Sequence, residues 1–257
     1  VSDYFSVERP IRFAHRGSRI LWPENTMHAF AGAVEDLGYH YLEIDVRLTA
    51  DGIPVVFHDE TLERTTDGEG KVADRTFAEL AQLDAAYAFD PEHGYPLRGT
   101  GIGISSLEEL YATWPDVRLN IDLKAPEEEW VVAEVIRSAD AEHRTLVGGF
   151  NDRRIARFRR ITGGRVVVSA GPTASLAMYA ASRIGRTVRR GFQAYQLPFN
   201  YRGMKIDRRL IDAVHRAGAH IHLWTVNEPD DMERFIAMGV DGIITDRPDL
   251  LNEVIGG

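Results

Sequence analysis

The chain contains no cysteine. Disulfides and thiolate-held metals are therefore excluded, and any metal must be bound through oxygen or imidazole nitrogen. Compartment stays open, because a cysteine-free chain suits the cytoplasm and the exterior alike. No apolar run reaches the ~18 residues of a membrane span. No charged-then-apolar leader precedes Arg12, which favours a cytoplasmic location, with export through a trimmed leader as the alternative. Positive charge is in deficit: 30 Lys and Arg face 39 Asp and Glu, a net charge of −9. A general nucleic-acid or membrane-surface binder is more often basic, so the balance points to a small substrate met by a few local cations. No Pro-, Gly- or Ser-rich linker, low-complexity tract or long charge run marks a domain boundary. With 257 residues, 44% of them hydrophobic, the chain can bury one large core, and residues 1–257 read as a single domain.

What is present is an alternation. Short β-branched or apolar runs lie at 11–15, 41–46, 118–123, 145–150, 165–170, 194–197, 220–226 and 242–245. Amphipathic stretches lie at 26–37, 107–113, 127–141, 152–161, 174–182, 207–217, 230–238 and 250–255. Asn25, Ser106 and Asn227 stand where N-caps belong, and Gly38 and Gly218 where C-caps belong. Eight strands alternating with eight helices predict an α/β fold, the (β/α)8 or TIM barrel.

One run breaks the alternation. Residues 54–58 follow the second strand after only Thr49-Ala50-Asp51-Gly52, too short for a parallel crossover. Asp51-Gly52 suits a two-residue hairpin turn. With those two as the loop, facing residues sum to 103 and Asp45 stands opposite His58. Residues 59–105, rich in glycine, then read as a small insertion on the barrel mouth.

Active sites of such barrels form at the C-terminal strand ends, so polar residues there carry the argument. The first strand ends in His15-Arg16-Gly17. The second carries Glu43 and Asp45, two apart and so on one face. The hairpin returns His58-Asp59. The third main strand holds Asp122 and Lys124, also on one face, and the last ends in Thr245-Asp246. Three carboxylates in one place repel unless a cation joins them. Oxygen ligands without cysteine favour Mg²⁺ or Ca²⁺. Arg16 and Lys124 suit an anion such as phosphate, and His15 and His58 supply one acid and one base near neutral pH. Each piece alone has a bland reading: Glu-x-Asp as a solvated strand face, Asp122 and Lys124 as a simple ion pair, Trp224 as core. His28, His40, His93, His143, His215, His220 and His222 read as structural or surface residues. Convergence at one mouth favours chemistry.

The run His15-Arg16-Gly17 with Pro23-Glu24-Asn25-Thr26 resembles the opening of glycerophosphodiester phosphodiesterases. So do Leu42-Glu43-Ile44-Asp45-Val46, Asp51-Gly52, Val55-Val56-Phe57-His58-Asp59 and Leu62-Glu63-Arg64-Thr65-Thr66. Trp224-Thr225-Val226-Asn227 and Gly239 through Pro248 at the close are similar too. The resemblance spans nearly the whole chain. It implies His15 and His58 as the catalytic acid–base pair. It implies Glu43 and Asp45 as ligands of a divalent metal ion, Mg²⁺ or Ca²⁺, and Arg16 and Lys124 as phosphate contacts. Asp122 stands where the family commonly has Glu; it keeps the charge with one methylene less reach and is carried as a third ligand. Gln196 and Trp224 lie where substrate contacts are expected. Asn25 is read as a helix cap, and Asp59 as the residue that orients His58. The implied reaction yields glycerol 3-phosphate and an alcohol. Two alternatives accompany it. One is a lysophospholipase D-like activity on lipid phosphodiesters, with Tyr87, Phe89, Tyr95, Phe199 and Tyr201 lining an apolar channel. The other is a non-catalytic barrel that binds polyol phosphates.

Overall fold

Nine strands alternate with helices along the chain in the computed structural model, which describes residues 3–7, 9–200 and 203–256. The strands are β1 (Ile11–His15), β2 (Tyr41–Leu48), β3 (Pro54–Val56), β4 (Arg118–Leu123), β5 (Thr145–Gly149), β6 (Val167–Val168), β7 (Ala194–Pro198), β8 (His220–Trp224) and β9 (Gly242–Thr245). The helices are α1 (Met27–Ala31), α2 (Phe77–Leu80), α3 (Leu107–Thr113), α4 (Glu128–Ser138), α5 (Asp152–Ile161), α6 (Pro172–Arg183), α7 (Arg208–Arg216), α8 (Pro229–Ala237) and α9 (Pro248–Gly256). No helix among the described residues is long and apolar enough to cross a membrane.

The sheet runs β6-β5-β4-β2-β1-β9-β8-β7, with β3 hung on β2. Its pairings are parallel except β2 with β3. A single parallel bridge, Ser169 to Ala194, joins the two ends. The eight-stranded, nearly closed barrel with alternating helices is therefore the expected TIM architecture. Side chains alternate across each strand. Leu42, Ile44 and Val46 of β2, with Leu119, Ile121 and Leu123 of β4, join an apolar layer with Val132, Ile136, Ile155 and Phe158 of α4 and α5. Truncating a fully buried ring such as Phe158 to alanine would cost ~3–5 kcal/mol. A second apolar layer lies over β7, β8, α7 and α8. Inside the barrel, Tyr4, Phe13, Tyr41, Leu146 and Ile244 fill the lower part, which leaves only the upper end free for chemistry.

Local chemistry sets the helix starts. Ser106 caps α3 by accepting from the Glu109 amide at 3.1 Å, and Asn151 caps α5 through the Arg153 and Arg154 amides. α1 passes into a single π-type stretch, residues 32–36. There Gly32 lies against the Trp22 ring, where a Cβ would collide. Two expected caps are not caps. Thr26, not Asn25, caps α1, accepting from the Ala29 amide at 3.1 Å. Asn25 adopts φ +56°, a conformation asparagine tolerates better than most residues. Asn227 turns away from α8 to hold the Asp246 backbone and side chain.

The hairpin forms, but one residue out of the expected register. Val46 faces Val56 and Leu48 faces Pro54, so Asp45 stands opposite Phe57, whose amide donates to its carbonyl at 3.0 Å. The loop holds three residues, Ala50 to Gly52, because Thr49 pairs with Ile53: the Thr49 amide donates to the Ile53 carbonyl. The Thr49 hydroxyl accepts from the Ile53 amide at 2.9 Å and donates to Asp51 at 2.5 Å. Gly52 takes φ +76°, as the last position of a three-residue hairpin loop requires. Residues 59–105 build a small satellite core from Leu62, Val72, Leu80, Ala85 and Ile104 against Val55 and Phe57.

Candidate active site

Strand register gathers the polar side chains. His15 of β1 pairs laterally with Glu43 of β2, and Glu43 with Asn120 of β4. Two residues higher, Asp45 pairs with Asp122, and Asp122 with Gly148 of β5. These rows open into a cavity of about 480 Å³. Its lining includes His15, Arg16, Glu43, Asp45, His58, Asp122, Lys124, Gln196 and Trp224. The nine residues expected from the sequence to act as acid–base pair, metal ligands or substrate contacts thus border one space. Gly148 leaves room in that space, since a Cβ there would stand 3.1 Å from Gln196 Oε1.

Each imidazole is fixed through Nδ1 by a carboxylate. His15 Nδ1 lies 2.6 Å from Asp246 Oδ1, and His58 Nδ1 lies 2.5 Å from Asp59 Oδ1. Arg47 also donates to the His58 carbonyl at 3.0 Å, which holds the backbone beyond the end of β3. His15 Nε2 is 3.6 Å from Glu43 Oε2. Burial disfavours the His15 imidazolium, but Glu43 and Asp246 outweigh it and raise the pKa. At His58 burial prevails over the pull of Asp45, with Arg16 acting in the same direction as burial, and the pKa is lowered.

Asp45 is paired through both of its carboxylate oxygens. Lys124 Nζ lies 2.7 Å from Oδ1, Arg16 Nε lies 2.9 Å from Oδ2, and the Asn25 amide donates to Oδ2 at 3.0 Å. Burial opposes its charge, yet Lys124 and Arg16 hold its carboxyl below the ordinary range. Lys124 also donates to Asp122 Oδ2 at 2.5 Å. Glu43 has the opposite fate: burial first, then Asp45 beside it, push its carboxyl up to about 7. Burial raises Asp122 as well. Glu43 Oε2 and Asp122 Oδ1 are buried with no hydrogen-bond donor.

Those unpaired oxygens bear on the expected cation. Among the described residues no three His, Asp or Glu side chains converge on a common coordination point, because Asp45 is turned to Lys124 and Arg16. The donor set nevertheless fits a hard divalent ion. Two buried carboxylate oxygens lack partners, one on Glu43 two residues before Asp45 in β2 and one on Asp122 beside Asp45 in β4, and the first belongs to a carboxyl whose charge is strained by burial. An oxygen-binding cation relieves that strain.

Several functional neighbours escaped sequence reasoning. Asp246 was visible as a polar strand end, but its place beside His15 depends on β9 closing onto β1. Glu24 accepts from Arg16 at 2.8 Å and from Arg64 at 2.8 Å, and Arg64 reaches on to Asp59. A chain of charges thus runs from Arg16 to His58. Asn25 serves Asp45 rather than a helix. The aromatic channel is also differently built. Tyr87 and Tyr95 stack on Arg98, Phe199 packs on Phe235, and Tyr201 lies outside the described residues. The apolar side of the cavity comes instead from Phe150, Pro172, Leu176, Leu197, Met204 and Trp224. Phe150 meets Trp224 edge to face at 5.8 Å, and its outer surface is 64% exposed.

Residues 15–250 match the model of the glycerophosphoryl diester phosphodiesterase family. A Mycobacterium tuberculosis protein named "Probable glycerophosphodiester phosphodiesterase 2" is 36% identical over 95% of this chain and 90% of its own length. A Caldanaerobacter subterraneus glycerophosphodiester phosphodiesterase is 34% identical over 94% of this chain and 96% of its own. In fold, the glycerophosphoryl diester phosphodiesterase domain of a further M. tuberculosis protein superposes with a TM-score of 0.82, covering 97% of this chain and 99% of that one at 24% identity.

Proposed function

Since this chain belongs to the glycerophosphoryl diester phosphodiesterase family, we propose that it hydrolyses glycerophosphodiesters to sn-glycerol 3-phosphate and an alcohol by acid–base catalysis between His15 and His58. One observation carries the reading. Two imidazoles, each with Nδ1 held by its own carboxylate, border one cavity together with Arg16 and Lys124. With Nδ1 taken, Nε2 is the atom left on each ring for proton transfer.

The residues then divide the work. Arg16 and Lys124 bind the phosphoryl oxygens, Arg16 as a planar fork held by Glu24 and Lys124 as a point charge. One imidazole takes the proton of the nucleophile, either water directly or the neighbouring glycerol hydroxyl, in which case a water then opens the resulting cyclic phosphate to the monoester. The other gives a proton to the departing alkoxide as the P–O bond breaks. Glu43, Asp45 and Asp122 would hold a divalent ion, Mg²⁺ or Ca²⁺. When bound, that ion polarises the phosphoryl oxygens and offsets developing charge. Gln196 and Trp224 on the facing wall orient the organic part of the substrate.

Turnover of glycerophosphocholine by His15→Ala and His58→Ala tests this. Each should lose roughly 10²-fold or more, on ordinary acid–base contributions. Near-normal turnover by either variant removes that ring from the chemistry.

The apolar wall favours a second reading, a lysophospholipase D-like action on lipid phosphodiesters. Phe150 and Leu176, 64% and 62% exposed, continue the cavity outward as an apolar rim. Hydrolysis of lysophosphatidylcholine at a rate matching glycerophosphocholine would select it; strong preference for the water-soluble diester would exclude it.

A further inference from the structure

The net negative charge of the chain hides a strong segregation. Residues 150–216 hold 15 of the 30 Lys and Arg but only 3 of the 39 Asp and Glu. The fold brings much of this charge to the end of the barrel away from the cavity. Arg159 and Arg160 lie in the last turn of α5, Arg186, Arg189 and Arg190 in the loop after α6, and Arg216 at the end of α7. These segments form one surface. Arg159 donates to the Arg190 carbonyl at 3.3 Å, and Arg189 to the Arg216 carbonyl at 3.1 Å. The Thr187 hydroxyl ties the loop to the Ala213 carbonyl.

Part of this charge has a local use, because guanidinium groups at helix C-termini satisfy the last carbonyls and suit the helix dipole. That accounts for Arg159 and Arg189. Arg160 and Arg216 share the favourable last-turn position, but with Arg186 and Arg190 they are exposed and make no carboxylate ion pair among the described residues. The nearby carboxylates are mostly committed: Asp207 to Arg183, and Glu142 to Arg165. Asp212, one turn before Arg216, remains as a single exposed anion. Beside the arginines stands Ile184, at 70% exposed among the most open large apolar side chains of the protein.

We propose that this arginine face, with Ile184 beside it, docks the enzyme peripherally on an anionic phospholipid bilayer. Clustered cations are drawn to the negative surface potential of such a membrane, and a neighbouring aliphatic side chain can enter the headgroup boundary. A single-stranded nucleic acid is a poorer fit, because among the described residues the face has no exposed Phe, Tyr or Trp on which bases could stack. None of these residues lines the cavity. Docked this way, the barrel mouth stays open to water and to soluble substrate.

Co-sedimentation with vesicles decides the matter. The protein should bind phosphatidylglycerol–phosphatidylcholine vesicles and not pure phosphatidylcholine ones, with binding lost as salt is raised. Arg186→Glu with Arg190→Glu should weaken vesicle binding on the order of 100-fold, and Ile184→Asp should weaken it further. Turnover of soluble glycerophosphocholine, if the enzyme performs it, should be unchanged by these exposed substitutions. Equal binding to neutral and anionic vesicles, binding undiminished in the double variant, or retention on a DNA duplex without retention on vesicles would each overturn the proposal.

Discussion

His15 Nδ1 and Asp246 Oδ1 stand 2.6 Å apart across the seam where the last strand of the barrel closes on the first. Asp246 is itself held. Ser18 donates to its carbonyl at 2.6 Å, and Asn227 both accepts from its amide at 2.9 Å and donates to Oδ2 at 3.1 Å. A carboxylate fixed on three sides can set the orientation of the ring and the nitrogen that carries its proton. On the opposite side of the cavity, Asp59 plays the same geometric part for His58, though it is only half-buried and is steadied by Arg64.

Asp246→Asn keeps the shape of that contact but changes its proton. An asparagine amide donating to Nδ1 would leave the ring hydrogen on Nε2, the wrong tautomer for accepting a proton there. Turnover should fall by at least ~10²-fold with KM little changed, the pattern expected when a histidine-orienting carboxylate is lost. A variant with normal turnover would show that Asp246 serves the barrel seam and not the ring.

The buried, unpaired oxygens of Glu43 and Asp122 make cation binding measurable without an activity assay. Mg²⁺ or Ca²⁺ at ~100 times its dissociation constant should stabilise the fold by ~2.7 kcal/mol, by mass action on the native state alone. Glu43→Gln should abolish that thermal shift and relieve the repulsion with Asp45. A melting temperature indifferent to both ions would remove the carboxylate cluster from consideration as a cation site. EDTA would then have no reason to silence the enzyme.

Lys124 sits between Asp45 and Asp122, at 2.7 and 2.5 Å. Lys124→Met would strand two buried carboxylates, although Arg16 remains on Asp45. The expected cost is ~2–4 kcal/mol, somewhat below a fully buried broken pair because the lysine is partly solvated. Added Ca²⁺ should recover stability by neutralising the carboxylates, but turnover should stay down by ~10²–10³-fold, since a charge aimed at the phosphoryl group would be missing. Recovery of both by Ca²⁺ would mean that Lys124 acts only as a placeholder for the ion.

The barrel was legible because its strands must be apolar on the helix side and its helices amphipathic, and both periods survive in the residue order. His15, Glu43, Asp45 and Asp122 were legible as a cluster because strand parity puts them on one face of neighbouring strands. The hairpin register was not. Asp51-Gly52 suits a two-residue or a three-residue loop, and the Thr49 side chain tips the choice through hydrogen bonds that no local pattern announces. Asn25 and Thr26 are both good capping residues, so only the position of Asp45 tells which of them caps α1. Asp246 needed the closure of a ring whose two partners lie 231 residues apart. The expected channel aromatics lie in the insertion and at Phe199 and Tyr201, whereas Phe150 reads in the chain merely as the end of a strand.

Glu128 gives a pH test that is separate from the chemistry. It opens α4, is fully buried, and accepts from the Lys124 amide at 2.6 Å through Oε2, while Oε1 has no donor. Burial outweighs the backbone hydrogen bonds and raises its carboxyl from the ordinary value to about 7. In the unfolded chain it titrates near ~4.3. Between those values the folded state keeps a proton that the unfolded state has released, so stability falls as pH rises. The loss begins near the unfolded value and is complete above about 7. By linkage it amounts to roughly 4 kcal/mol. Glu128→Gln has no proton to lose and can still accept from the Lys124 amide. Thermal unfolding of the two proteins should therefore diverge between pH 5 and pH 8, with the glutamine variant gaining relative stability on the alkaline side. Parallel stability curves across that range would show that Glu128 is solvated well enough to ionise at its ordinary pKa.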